Sequence, residues 1–469
     1  MRRILVLAGE IVPHPGLPTV GGGLRGWTLA RGLEAAGFDI ALAFPREPLD
    51  AIRDTLDPAI YEAALAHTFD YADPQDAIER CQPDAVVCCS WLLAAQLGSC
   101  PVPLAVDVAG PVLLEFLYQG IDKARDLAPK KPRGLALADF VTCAGERQRA
   151  YFYAWLALAG FTPDDLATRV ATLPISAAPP GDTTPTFPAN PEPTIIFAGI
   201  ALPWQDPVAP LRATIAALEQ AGQGQLDIYL NEHLVHSRGT TWLSWLRDQA
   251  ASHPRVVLHH SNLRPYAELL DIYRRADLAF DLFAPNPERE LAFNTRTVDY
   301  LACGLPPLYG DYAELAAPIR DYDAGIVADP TDEPAVTAAV TRALTDPTWL
   351  AAKRSGALRL AAERLAWDRT IAPLAAWCAN PTRRPTRALD MTLIDSVDLA
   401  WVNEERDRAL ALAAEREAYS ANLETAWNEQ GAQLRALETT LATTQHYPWR
   451  TAIRQTLGSL RSRLKPRQG

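Results

Sequence analysis

Short apolar runs alternate with helix-period stretches through most of this chain, and no other feature restricts the fold as strongly. The runs are Ile4 to Ala8, Ile40 to Phe44, Ala85 to Cys89, Leu104 to Val108 and Phe140 to Cys143, with a helical pattern over Leu24 to Ala36 between the first two. That alternation is the mark of parallel strands joined by crossover helices, and it predicts a doubly wound first domain.

Between about Pro174 and Pro193 the chain turns rich in Pro, Thr and Ala, a composition that breaks regular structure and favours an extended linker. A second alternating set follows. Its strand-like runs are Thr194 to Ala198, Leu226 to Leu230, Val256 to His259, Leu278 to Phe283 and Pro307 to Tyr309. Its helical patterns lie at Pro210 to Ala221, at Tyr266 to Ala276 and from about Thr295. Beyond about Asp395, Pro and Gly nearly vanish while Ala, Glu, Leu and Arg dominate through Thr444. The expected architecture is α/β: two Rossmann-like domains at 1–180 and 190–380, then a helical tail at 393–469.

Composition excludes some functions. A net charge of −12 argues against a general basic surface for nucleic acid, so no nucleic-acid partner is expected. The seven cysteines are scattered without Cys-x-x-Cys pairs, which suggests neither a disulfide framework nor a zinc site and fits a reducing cytoplasm. Ile4 to Ala8 is too short for the apolar core of an export signal, and no later run reaches about 18 apolar residues.

Gly21-Gly22-Gly23-Leu24-Arg25-Gly26 formally contains G-x-G-x-x-G ahead of a helical pattern. A dinucleotide fingerprint should turn straight from strand to helix, whereas Pro13, Pro15 and Pro18 intervene here, which counts against NAD. Gly22 and Gly23 can still bring backbone N–H groups and a helix N-terminus close to phosphate oxygens; otherwise the glycines simply permit close helix packing.

The densest polar region is Glu288 to Pro306. Asn294 or Thr295 can open a helix whose first N–H groups face a phosphate, and Arg296 offers a planar two-pronged partner for a diphosphate. Asp299, one turn further on, can accept hydrogen bonds from ribose hydroxyls. The plainer reading of Arg296 and Asp299 is an i, i+3 pair on a surface helix.

The string Arg-Thr-Val-Asp-Tyr-Leu-Ala-Cys-Gly-Leu-Pro at 296–306 resembles the donor-binding helix of family 4 (group 1-like) and related GT-B glycosyltransferases. Those usually carry Glu-x7-Glu; here Asp299 takes the second acid's place and Leu291, beside Glu290, stands at the first. The segments Ala138 to Arg149 and Trp204 to Pro207 agree with the resemblance, which covers about the first 380 residues. It implies a retaining hexosyltransferase-like enzyme that takes a nucleotide-diphosphate sugar, with no cofactor, and serves surface polysaccharide or glycoconjugate synthesis.

No histidine stands where many relatives keep one. Asp107, at the end of a strand, is the candidate catalytic group on the acceptor side, and its alternative is a turn-capping aspartate. Glu115 and His14 are further acceptor-side candidates. In a retaining reaction the departing diphosphate can take the acceptor proton, so stabilising it, chiefly by Arg296 and the helix start, becomes the main task. No Asp-x-Asp signature marks a metal site. The rival readings are a GT-B epimerase or hydrolase and a sugar-nucleotide-binding scaffold.

The tail admits two roles. The stretch 395–444 repeats apolar residues at intervals enough for a short coiled coil and a homo-oligomer. The stretch 447–467 carries six basic and no acidic residues around an apolar stripe, suited to reversible contact with the inner face of a membrane bearing a lipid-linked acceptor.

Overall fold

A computed structural model describes residues 1–179, 190, 192–232, 240–259 and 264–385, with helical positions from 408 to 436 described in part. Among the described residues two fully parallel sheets form. The first has seven strands: β1 (Arg3–Leu7), β2 (Asp39–Pro45), β3 (Thr68–Phe69), β4 (Ala85–Cys88), β5 (Leu104–Asp107), β6 (Phe140–Cys143) and β7 (Val170–Thr172), in the order 3-2-1-4-5-6-7. The second has six: β8 (Thr194–Ala201), β9 (Gln225–Glu232), β10 (Val256–Leu258), β11 (Leu278–Asp281), β12 (Pro307–Gly310) and β13 (Ile326–Ala328), in the order 10-9-8-11-12-13.

The strands are mostly apolar because each sheet is covered on both sides, with Asp107 and Asp281 ending β5 and β11. Side chains alternate between faces, so Leu5, Leu7, Val86 and Val106 enter one core while Ile4, Val6, Val87 and Ala105 enter the other. In the second sheet Phe197, Ile228 and Phe280 divide likewise from Ile196, Ala198 and Ala279. Each sheet reverses direction beside its first strand, at β1/β4 and at β8/β11. Open α/β sheets bind ligands at that crevice, beyond the carboxyl ends of the strands.

Residues 1–389 form one compact unit. A shared core joins its halves: Ala144, Ile175 and Ala177 of the first pack with Val298, Leu301, Leu360 and Leu365 of the second. The chain then returns to the first sheet. Ile371, Leu374, Trp377 and Cys378 complete the core beneath Ile4 and Val6. Arg384 donates to the carbonyls of Ala136, Ala138 and Gly160, its backbone N–H bonds the Asp139 carboxylate at 2.6 Å, and its guanidinium covers the Phe161 ring. The stretch 371–380, assigned from the sequence to the second domain, therefore packs on the first sheet. Linear reading missed this because the helical pattern carries no mark of which sheet it covers.

The described tail positions between Arg408 and Ala436 are helical. The coiled-coil spacing and the basic end at 447–467 lie largely or wholly outside the described residues. Among the described residues no helix is long and apolar enough to cross a membrane.

Candidate active site

Glycine decides how the first half approaches the crevice. Helix Gly21–Ala35 begins on the glycine run, after a loop that leaves β1 through Gly9 and Glu10. A side chain at Gly23 would lie 1.8 Å from the Ile11 carbonyl oxygen, and one at Gly22 would lie 2.6 Å from a Glu10 carboxylate oxygen. Only hydrogen lets this helix seat so close to the strand's end. Its N-cap residue, Val20, supplies no side-chain cap and its first turn holds no acid. Glu10 does that work instead, accepting the Gly22 N–H at 2.9 Å. The expected role of Gly22 as a phosphate donor thus meets a carboxylate already at the same N–H, while Gly23 is buried against Ile11.

The second half brings helix Thr295–Ala302 to face it. Thr295 Oγ1 lies 3.5 Å from where a side chain on Gly21 would begin, so two helix N-termini converge across the crevice. Asn294 takes the N-cap position but does not cap: its amide donates to Asp281 at 2.9 Å and its oxygen accepts from Arg289 at 3.0 Å. The first-turn N–H groups of this helix therefore have no side-chain cap, the condition under which an anion is bound well.

Arg296 reaches back under the sheet. Its Nη1 donates to the Ala198 carbonyl at 2.8 Å and its Nη2 to Gln205 at 2.9 Å, while Nε lies 3.5 Å from Asp281. This close approach requires Gly199, which has φ +135° and where a side chain would meet Nη1 at 2.6 Å. A guanidinium has five N–H bonds, so these three contacts leave donors to spare. Asp281 also accepts from Thr297, yet its buried Oδ1 has no hydrogen-bond partner. Beside it Glu288 and Arg289 form a buried ion pair with contacts of 2.6 and 2.9 Å.

Asp299 is 4% exposed and accepts the Tyr266 hydroxyl at 2.7 Å. Burial pushes its carboxyl up to about 7, against the downward pull of that hydrogen bond. The Tyr266 ring lies edge-on to Trp27 of the glycine helix, with centroids 6.0 Å apart.

The acceptor-side candidates separate. Asp107 is 1% exposed and accepts from Arg25 Nε at 3.0 Å, Arg25 Nη2 at 2.8 Å and Thr142 Oγ1 at 2.6 Å. Arg25 also holds the carbonyls of Leu173 and Pro174. A carboxylate so enclosed cannot reach an acceptor hydroxyl, which corrects the expectation of Asp107 as a catalytic group; it locks the helix to the end of β5. His14 packs against His67, with ring centroids 5.7 Å apart, and its Nδ1 lies 3.3 Å from the Pro15 carbonyl oxygen. Glu115 does face the crevice, folding its carboxylate within 3.4 Å of a side-chain position on Gly110. It keeps partial exposure, yet desolvation foremost and the charge of Glu288 push its carboxyl up to about 8, opposed by Arg289.

The structure places the expected Arg296, Asp299, Asn294 and Thr295 on or beside the start of one helix, and adds Glu10, Tyr266, Asp281 and the Glu288–Arg289 pair around them. Glu10 carried one faint signal, an acid directly after the first strand.

Two parallel sheets that face each other across a crevice, tied together by a returning C-terminal helix, define the GT-B fold of glycosyltransferases, as the donor-helix resemblance implied. No protein-family model matches the chain. Among curated proteins it is similar to D-inositol 3-phosphate glycosyltransferase of Thermobispora bispora, 34% identical over 111 residues. That match spans only 24% of this chain and 24% of the relative. Among solved structures, sucrose-phosphate synthase from Thermosynechococcus elongatus superposes with a TM-score of 0.56 at 15% identity, covering 80% of this chain and 98% of that one. Anabaena HepE, solved in complex with UDP-glucose, superposes with a TM-score of 0.55 at 13% identity, covering 80% and 100%.

Proposed function

We propose that this chain is a glycosyltransferase that moves a sugar from a nucleotide-diphosphate donor to a glycan or lipid-linked acceptor. The observation that carries the reading is the meeting of two helix N-termini, Gly21–Ala35 and Thr295–Ala302, at the carboxyl ends of both sheets with Arg296 alongside. A diphosphate between them would gain from both helix dipoles, from first-turn N–H groups and from the remaining guanidinium donors. The UDP-glucose held by the HepE structure supports a nucleotide sugar.

On this reading Arg296 and the start of the Thr295–Ala302 helix hold the departing diphosphate, and Asp299 exchanges Tyr266 for a ribose hydroxyl. Glu115, protonated near neutral pH, donates a hydrogen bond on the acceptor side. With Asp107 enclosed, the diphosphate itself takes the acceptor proton, consistent with a retaining course. The basic stretch 447–467 would carry the enzyme to a lipid-linked acceptor; a chain ending at Thr444 should keep donor turnover and lose sedimentation with anionic vesicles.

The test is a thermal-shift screen of the purified protein against UDP, GDP, dTDP, ADP and NAD, repeated with Asp299→Ala. A ligand at 100 times its dissociation constant adds about 2.7 kcal/mol of stability. Stabilisation by one nucleoside diphosphate, lost in the variant, supports the proposal. Stabilisation by NAD alone, or by none of the five, sinks it.

A further inference from the structure

The carboxylate of Glu10 occupies a helix N-terminus that the proposed reaction needs. Helix Gly21–Ala35 runs for 15 residues with neither a side-chain cap at Val20 nor an acid in its first turn, and its Gly22 N–H is taken by Glu10 at 2.9 Å. The contact is close: a side chain on residue 22 would begin 2.6 Å from that carboxylate oxygen and push it aside. Charge is already crowded at this spot. Glu10 and Glu288 both raise the carboxyl of Glu115, and Arg289, which opposes them, is already ion-paired to Glu288.

We infer that Glu10 is a specificity-determining residue: an internal anion that competes with the donor's diphosphate for the glycine helix and must swing aside when the donor binds. This rests on the function proposed above and deepens it. A diphosphate brought beside an ionised carboxylate suffers like-charge repulsion in a partly dehydrated crevice, so the two exclude one another. Ligands without a diphosphate gain nothing at this helix end and leave Glu10 in position. The arrangement sets a threshold: only a ligand that replaces the carboxylate's hydrogen bond and charge can seat fully.

The experiment compares wild type with Glu10→Gln and Glu10→Ala by calorimetric titration, using as probes the nucleoside diphosphate that stabilises the wild type most, its parent nucleoside, and inorganic pyrophosphate. Gln keeps an acceptor for the Gly22 N–H without the charge. Glu10→Gln should bind the diphosphate and pyrophosphate about tenfold more tightly, with nucleoside affinity unchanged. Glu10→Ala should also gain affinity while losing some thermal stability through the missing cap. Unchanged or weaker diphosphate binding in Glu10→Gln overturns the inference and leaves Glu10 a plain helix cap, even though wild type binds. If neither wild type nor variant binds any nucleoside diphosphate, the function proposed above falls, and this inference with it.

Discussion

Each half of the molecule buries an arginine beside a carboxylate at the carboxyl end of a central strand, yet the two pairs are built to different ends. In the first half Arg25 and Asp107 are closed upon each other and upon neighbouring oxygens, with side chains 3% and 0% exposed. In the second half Arg296 stands 3.5 Å from Asp281, is 13% exposed, and faces a carboxylate whose Oδ1 accepts no hydrogen bond. The first pair spends four of the five Arg25 N–H donors on enclosed oxygens and holds the glycine helix on its sheet. The second is incompletely satisfied and lies beside the uncapped N-terminus of helix Thr295–Ala302. Chemistry of one kind serves as a rivet where nearly every donor and acceptor is matched, and leaves polar groups free for other contacts where some are left over.

The largest effect should come from breaking the rivet. Asp107→Ala leaves the Arg25 guanidinium buried without its counter-ion and should cost roughly 3–5 kcal/mol in chemical denaturation. A loss below about 1 kcal/mol would contradict the locking role and reopen a catalytic one for Asp107. Next comes Arg296→Ala, which should weaken nucleoside diphosphate binding about 100-fold while changing nucleoside binding little, as calorimetry can measure. Equal losses for both ligands would remove the diphosphate role and make the two pairs alike.

A smaller effect concerns pH. The folded Asp299 holds its proton up to about 7, above the ordinary aspartate value near 3.9, so its contribution to stability is present at low pH and is lost as pH rises through about 7. Glu115 acts in the same direction up to about 8. Melting temperature should therefore fall between pH 5 and 8, and Asp299→Asn should flatten part of that fall; an unaltered slope would count against it.

The smallest effect tests the joint between the halves. Glu314 accepts the N–H groups of Glu146 and Arg147 at 3.0 and 3.4 Å, capping helix Glu146–Leu158 across the domain boundary. Glu314→Ala should cost about 1 kcal/mol in thermal denaturation and leave diphosphate affinity unchanged. A large affinity change would show that the crevice depends on this clasp.

Much of this was legible in the chain. Apolar runs marked β1, β2, β4, β5 and β6 and most of the second sheet, because strands covered on both faces must be mostly apolar. Short edge strands such as β3 and β13, at two and three residues, leave too little pattern to read. Arg296 and Asp299 were readable as neighbours because their placement depends on spacing within one helix. Glu10 was not, since its meaning comes from the loop that folds it onto Gly22. Asp107 misled for the same reason: a strand-end acid looks available until Arg25, 82 residues away, is seen to cover it.

Local periodicity and spacing by themselves determined that this chain forms two covered parallel sheets and a helix starting near Thr295, because those properties depend on neighbours within a few residues. Tertiary structure alone decided which ionised groups are spent and which remain available, why the chain returns to its first sheet, and that a carboxylate rests at the glycine helix. Hydrogen-bond saturation and desolvation are set by groups that are distant in sequence and meet only when the sheets pack.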